Sequence, residues 1–442
     1  MLRRVQLKNF KLHADTSIDA APITVFIGPN SSGKSSIFQA LLLWRQAAAR
    51  NSSALCMGVP RNVAADGPPY LFPADQLIDI GEFDQVVRHG EREVALSVEG
   101  DMPWSKGIEY GPGPTAGNLE VRVRDNRLVY QAGDLVYWVQ SLSVSGQKKW
   151  FWGPQPGEVG DTALSAVGAN IDLRSSSTFA LIDAAPYRWD RPASSEKILA
   201  LHELADRFRE APRALLKSIH PVFPLRGFEE AGYPLADAPA ETLDRMALQD
   251  RTIALLSVLA YNRNVEKRIS EWLVDLAGIK IEVKLLPGKR VTILCAPAHA
   301  DVPGSLFSNE GTGANQLPFI LVPIGLTPPG ETILLSEPEV HLHPRYQTDL
   351  TRLLMKLVKS ERRQFFIETH SEHVLHALLN SVARGELGAS DLAIYYFENK
   401  SGSAVCTRLQ IDESGGVAGG LPGFFDQSLG ELTEYLGALK SK

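Results

Sequence analysis

The chain is poor in cysteine: Cys56, Cys295 and Cys406 are the 3 among 442 residues, and they lie far apart. That spacing excludes a disulfide-stapled scaffold and a CxxC metal site, and it fits a reducing, intracellular compartment. Long apolar runs are lacking too. The longest, such as Leu317 to Leu326, fall far short of the ~20 residues that cross a membrane as a helix. Basic Met1-Leu2-Arg3-Arg4 is followed by Lys8, Lys11 and Asp15 rather than an apolar stretch, so no secretory signal is legible. The expectation is a soluble, cytoplasmic protein with no membrane partner. Nor does one charge dominate: 45 Lys+Arg against 51 Asp+Glu give a net charge of -6, which leaves any grip on nucleic acid to a local patch. Internal repeats and low-complexity tracts are absent as well. What is present is globular in composition, 44% hydrophobic and 22% charged, in a chain longer than one ordinary core supports.

Periodicity gives an α/β rhythm at both ends. Val5 to Phe10 alternates with period two, as a half-buried strand does, and Ile23-Thr24-Val25-Phe26-Ile27 is short, β-branched and apolar, as a buried strand is. A glycine-bearing turn leads into an Ala/Leu-rich helix from Ile37 to Ala48. From about residue 91 to 190, short alternating runs (Glu120 to Arg124, Leu135 to Leu142) are divided by Gly, Pro and Asp, which predicts a β-rich insertion. Residues 195 to 218 and 241 to 276 carry apolar residues at helical spacing and predict helices, read as a projecting arm. Strands return at Ile279 to Lys284 and Val291 to Cys295. The α/β rhythm resumes through Ile333 to Leu335, a helix around Gln347 to Lys359, Phe365 to Ile367 and Ile394 to Phe397. The expected division is an N-terminal α/β part at 1–90, the insertion at 91–240, a helical arm at 241–277, a C-terminal α/β part at 278–411 and a tail at 412–442.

One motif stands above the others. Gly28-Pro29-Asn30-Ser31-Ser32-Gly33-Lys34-Ser35 is a complete GxxxxGK[ST] phosphate loop, placed directly after a buried strand and opening a helix. Its glycines let backbone N–H groups curl around phosphate oxygens, and the helix N-terminus adds its positive dipole end. Lys34 is expected to reach the β- and γ-phosphates, and the Ser35 hydroxyl to ligate Mg2+. About three hundred residues later, Thr332 to Leu335 is a buried strand running into Ser336-Glu337-Pro338-Glu339-Val340-His341-Leu342-His343-Pro344. A rigid strand ending in a carboxylate is what metal-assisted hydrolysis of a nucleoside triphosphate needs. A second strand, Phe365 to Ile367, ends in Glu368-Thr369-His370-Ser371. His341, His343, His370 and His373 invite a zinc reading, but no cysteine accompanies them and no third ligand is obvious. Finally, Asn309-Glu310-Gly311-Thr312-Gly313-Ala314-Asn315-Gln316 opens a helix with two glycines and offers free N–H groups to an anion.

In this order the four elements resemble the ABC-type ATPase heads of the SMC/RecF/OLD group. The likeness covers Leu7 to Lys11 and Phe26 to Ser36 at one end, and Glu310 to Pro318, Glu337 to Pro344 and Glu368 to His373 at the other. The closing Gly423-Phe424-Phe425-Asp426 resembles the tail of an OLD-like branch of bacterial AAA-family ATPases. The resemblance implies an α/β head, a mixed sheet with helices built from both chain ends, and a homodimer or higher even oligomer that sandwiches ATP and Mg2+. Gly28, Asn30, Ser31, Ser32, Gly33, Lys34, Ser35 and Ser36 would cradle one nucleotide, facing Gly311, Thr312, Gly313, Asn315 and Gln316 of the opposite head. Glu337 would polarise the attacking water and His370 would sense the γ-phosphate. The Q-loop glutamine would be Gln76 or Gln85, between which the sequence does not choose. One departure stands out: the position before the catalytic carboxylate, acidic in this group and close to Mg2+, is Ser336, a metal-site candidate beside Ser35. Its hydroxyl can accept from a Mg2+-bound water but carries no charge, which implies slow hydrolysis or a clamp that holds ATP.

Members of the group often carry a Toprim nuclease after the head. The residues following His370 hold no acidic strand-end cluster of that kind, so a nuclease or other effector is expected on a separate chain. The favoured role is an ATP-driven sensor or regulator for that effector, in anti-phage defence. A RecF-like clamp on duplex DNA is the alternative, with Arg122, Arg124, Arg127 and Lys148 to Trp152 as its basic and aromatic candidates. A solvated strand face and a hairpin core explain those residues more simply. A nucleotide-gated scaffold with little turnover is a third reading, resting on Ser336.

Overall fold

The computed structural model describes residues 1–50, 88–89, 93–100, 121–131, 134–144, 148–152, 171–172, 188–189, 215–223, 227–236, 251–300 and 302–420. Gln76, Gln85, residues 195–214 and 241–250 of the helices expected at 195–218 and 241–276, and Gly423 to Asp426 lie outside the described residues. In chain order the elements begin with β1 (Leu2–Phe10), β2 (His13–Asp19), β3 (Ile23–Ile27) and α1 (Lys34–Arg50). Next come β4 (Glu93–Gly100), β5 (Val121–Gln131), β6 (Asp134–Val144), β7 (Lys148–Trp152), and the two-residue pieces β8 (Ile171–Asp172) and β9 (Arg188–Trp189). β10 (Ile219–Val222), β11 (Tyr233–Pro234), α2 (Arg251–Tyr261), α3 (Arg263–Ala277), β12 (Ile279–Leu286), β13 (Arg290–Pro297) and β14 (Ser305–Leu306) follow. The last are α4 (Thr312–Leu326), β15 (Thr332–Ser336), α5 (Pro344–Glu361), β16 (Gln364–Glu368), α6 (Glu372–Ala383), β17 (Leu392–Lys400) and β18 (Ser403–Leu409). They fall into two compact units, each assembled from separate stretches of chain.

The first unit comprises Met1–Ala20, Ser36–Ile219 and Ser401–Ala404. Its six-stranded sheet runs in the order β2-β1-β4-β5-β6-β7, each neighbouring pair antiparallel. Period-two patterning puts Val5 and Leu7 of β1 inside. β2 carries no such apolar signal, yet His13 and Thr16 are buried and satisfy each other through a 2.9 Å contact between His13 Nδ1 and Thr16 Oγ1. A polar pair that neutralises its own burial explains why the sequence gives no hint of this strand. β4 pairs with β1 from Leu2 to Lys8. The β-rich stretch after residue 91 therefore extends a sheet that the first residues begin.

The second unit comprises Ala21–Ser35, His220–Lys400 and Val405–Lys442. Its main sheet has the order β10-β15-β16-β3-β17-β18. The central run is parallel, β15 beside β16, β16 beside β3 and β3 beside β17. Strands in such a position are buried on both faces, hence the continuous apolar composition; every residue of β3 and β16 is buried. Val25, Ile27, Ile333, Leu335, Phe365 and Ile367 belong to the large apolar core that also takes Leu317, Ile320 and Leu321 of α4. On the alternate positions Phe26 lies 5.9 Å from the Phe366 ring and meets Phe397 edge-on at 5.6 Å. Helix α5 connects β15 to β16 and α6 connects β16 to β17, as parallel strands require.

Helices α2 and α3 do not project as an arm. Leu255, Leu256 and Leu259 of α2, with Ile269, Trp272 and Leu273 of α3, belong to that same apolar core. Helical spacing reveals that a stripe must be covered, and here the rest of the unit covers it. The antiparallel set β11-β13-β12, with β14 on β13, adds Val283, Val291 and Ile293. The α/β fold is thus a mixed architecture drawing on both ends of the chain.

Candidate functional site

The phosphate loop hangs from the C-terminal end of β3, the strand flanked on both sides by parallel partners. Ligand sites of open α/β sheets form at that edge. Gly28, Ser31 and Gly33 take positive φ values of 135°, 59° and 103°, a succession that turns backbone N–H groups into an anion-binding nest. Gly28 has no alternative: a Cβ there would sit 2.2 Å from the carbonyl oxygen of Phe397. Asn399 Nδ2 donates to Ser31 O at 3.4 Å and ties the loop to the end of β17. Lys34 is buried, its Nζ donating to Gly28 O at 2.9 Å and Pro29 O at 2.8 Å. Burial pushes the Lys34 ammonium below its ordinary value, opposed by the carboxylates of Glu368, Glu337 and Glu339. Asn30, Ser31 and Ser35 are exposed, while Ser32 and Ser36 are buried. Ser32 Oγ is 1% exposed as a residue and has no hydrogen-bond partner. An orphaned hydroxyl inside a loop of this geometry fits a phosphate oxygen as its missing partner.

The acidic side is delivered by β15 and β16. Their parallel register sets Ser336 beside Glu368, and Glu368 beside Phe26 of β3. The chain then turns sharply: Glu337 adopts φ 46° and its N–H donates to Glu368 O at 2.8 Å. This turn brings Glu337 Oε1 to 3.6 Å from His370 Nε2, an ion pair only when the imidazole is protonated. Burial and then Lys34 hold His370 below its ordinary pKa, with Glu337 opposing them. Glu339 Oε1 accepts from the His370 backbone N–H at 2.6 Å, so Glu339 clamps the turn after β15 to the turn after β16. Its other oxygen, Oε2, is buried without a partner, and burial raises its pKa. Glu368 accepts a hydrogen bond from Ser35 Oγ. Burial raises the Glu368 pKa; the Ser35 hydrogen bond and Lys34 pull the other way.

The glycine-rich start of α4 is held differently. Gly311 and Thr312 are exposed at the helix N-terminus, where Gly311 makes no side-chain cap, leaving first-turn N–H groups open. Gly313 packs against the turn after β15, since a Cβ there would lie 2.5 Å from His341 O. Asn315 is buried, accepting from Phe228 N at 2.7 Å and donating to Phe228 O at 3.0 Å; its amide is engaged within the fold. Gln316 is buried with Oε1 unpartnered.

The structure therefore gathers Gly28 to Ser35, Glu337 and His370 into one neighbourhood within one unit. Ser336 stands on the strand beside them, and Gly311 to Gln316 opens a helix whose second glycine touches the turn at His341. Two further acidic residues emerge beside those named from the motifs, Glu339 and Glu368. The signal for Glu368 was its position at the end of a buried strand, the same signal that marks Glu337. The chemistry of the donors suits a magnesium nucleotide: amides, a lysine and a serine hydroxyl for phosphate oxygens, and carboxylates for a hard cation.

Fold and site together define a phosphate-loop α/β protein. The family model described as AAA ATPase domain matches residues 1–84 and 325–375, a split that coincides with the two contributions to the site. A second model, described as a protein of unknown function (DUF3696), matches residues 387–434. No curated protein matches the chain. Among solved structures, similar ones include an SMC head bound to the C-winged helix domain of ScpA, 14% identical with a TM-score of 0.44, covering 93% of this chain and 98% of that one. The SMC head domain from Thermotoga maritima is 14% identical with a TM-score of 0.42, over 93% and 99%. An Smc head with an extended coiled coil, bound to the C-terminal domain of ScpA derived from Pyrococcus furiosus, is 15% identical with a TM-score of 0.42, over 99% of both chains. No helix among the described residues is long and apolar enough to cross a membrane.

Proposed function

We propose that this chain is an ATPase that binds MgATP in the Gly28–Ser35 loop and hydrolyses it between two copies of itself. The observation that supports this most is the convergence of Ser35, Lys34 and the carboxylates of Glu337, Glu339 and Glu368, with Ser35 and Glu368 in contact across 333 positions. Loop amides and Lys34 would take the phosphate oxygens, Lys34 leaving the Gly28 and Pro29 carbonyls to do so. The Ser32 hydroxyl would gain the partner it lacks. Magnesium, held at Ser35, would supply charge neutralisation at the β- and γ-phosphates. Glu337, on its strained turn, would orient and polarise the attacking water, accepting its proton as the bond to the γ-phosphorus forms and the one to the leaving oxygen breaks. His370, whose protonation burial and Lys34 disfavour, would donate to the γ-phosphate through its ring N–H.

The open N–H groups at Gly311 to Gly313 supply a second anion-binding surface, which supports a head-to-head homodimer in which this helix start caps the nucleotide of the partner. The likeness to the OLD-like branch supports a regulatory role for a separate effector, such as a nuclease, in anti-phage defence. Glu337→Gln tests the chemistry. It is expected to lower kcat by about 10²-fold or more while keeping ATP binding, and to accumulate an ATP-bound dimer in size-exclusion chromatography with light scattering. An unchanged turnover rate would remove Glu337 from the reaction. Stimulation of the native rate by duplex DNA would favour a DNA clamp, and tight binding without turnover a scaffold.

A further inference from the structure

The sequence leaves the metal side of this site one charge short, because Ser336 stands where an acidic residue is expected. We propose that Glu368, one strand over, supplies that carboxylate: the site has moved its metal-facing acid from the end of β15 to the end of β16. This rests on the reading of the loop as a MgATP site and assigns a residue within it.

Four observations carry the assignment. Ser336 and Glu368 are register partners on adjacent parallel strands, so they share one face of the sheet at the same level. Glu368 is also in register with Phe26, two residues before the loop begins. Of the three carboxylates near Lys34, Glu368 is the one that accepts from Ser35 Oγ, the hydroxyl that phosphate loops present to the cation. Glu337 is turned toward His370, and Glu339 is committed to the His370 backbone. Finally, Glu368 is 4% exposed, and a carboxylate so buried needs a cation close by to offset the water it has lost. Lys34 gives part of that compensation but spends its hydrogen bonds on Gly28 and Pro29. The unpartnered, 1% exposed Ser32 hydroxyl in the same loop independently marks the place as built for a ligand.

A neutral Ser336 then makes structural sense. With the buried Glu368 beside it, an acidic side chain at the half-buried position 336 would put two carboxylates side by side, which raises the cost of ionising either. Sequence position and spatial position are exchangeable here because the parallel register fixes both strand ends at one level.

The experiment measures binding of a fluorescent ATP analogue to the full chain with Mg2+ and with EDTA, together with Mn2+ binding followed by electron paramagnetic resonance. In the native chain Mg2+ is expected to tighten analogue binding. Glu368→Gln should remove about 10-fold or more of that enhancement and weaken Mn2+ binding in parallel, with the EDTA affinity retained. Ser336→Asp added to Glu368→Gln should recover Mg2+ dependence, since it returns the charge from the neighbouring strand. Retained EDTA binding and the recovery in the double variant both report an intact fold. Undiminished Mg2+ enhancement in Glu368→Gln would overturn the assignment while leaving the ATP site standing. Failure of the native chain to bind the analogue under either condition would overturn both.

Discussion

At the scale of single residues, the loop shows how tightly a backbone can be specified by what it must approach. Gly28 combines a positive φ with a neighbouring carbonyl that occupies the space of a side chain. Gly28→Ala is therefore expected to cost about 2 kcal/mol or more in urea unfolding, because strain and a backbone clash act together. Gly311, with φ -58° and open space around its Cα, is the control; Gly311→Ala should stay within about 1 kcal/mol. Equal losses in the two variants would contradict the explanation. Both glycines look alike in the sequence, each within a motif, and only the neighbours tell them apart. The same holds for acids. Glu337 was legible because it ends a strand that precedes a proline-rich turn, whereas the contact that distinguishes Glu368 is made with a residue 333 positions away.

Among elements, the strands with continuous apolar sequence and the helices with strong stripes were readable from periodicity: β3, β15, β16 and α5 all lie where the pattern puts them. β2 was not, because two of its three buried positions, Ile18 being the third, are a histidine and a threonine that satisfy one another. Helices α2 and α3 were legible as helices but not as core, since an apolar stripe says nothing about which surface meets it. The start of α4 illustrates an element serving two purposes. Gly311 is exposed with open space around it, while Asn315 one turn on holds both backbone groups of Phe228. Asn315→Ala would strand a buried N–H and a buried C=O, and is expected to cost about 2–4 kcal/mol. Hydrogen exchange provides the local readout: the Phe228 amide should lose protection well beyond the global change. Unchanged protection at Phe228 would show that the two bonds do not hold the segment.

For the whole molecule, the feature with the widest reach is the position of β3 between β16 and β17. A strand near the start of the chain has both of its partners near the other end; Gln364 Nε2 already donates to Ala21 O across 343 positions. On the ribosome, at about 5–20 residues per second, Ile23 to Ile27 must wait on the order of half a minute before either neighbour has been made. During that time a β-branched apolar segment, followed by an unformed loop, is without the edges that will protect it. A version ending after Glu361 never acquires those edges, and a larger share of it than of the full chain is expected in the insoluble fraction of an expressing cell; equal shares would show that the strand finds shelter earlier. The gathering of the loop and the carboxylates of Glu337, Glu339 and Glu368 is then a late event in the life of each molecule, so that half-made copies carry the loop without the acids that come to lie near it.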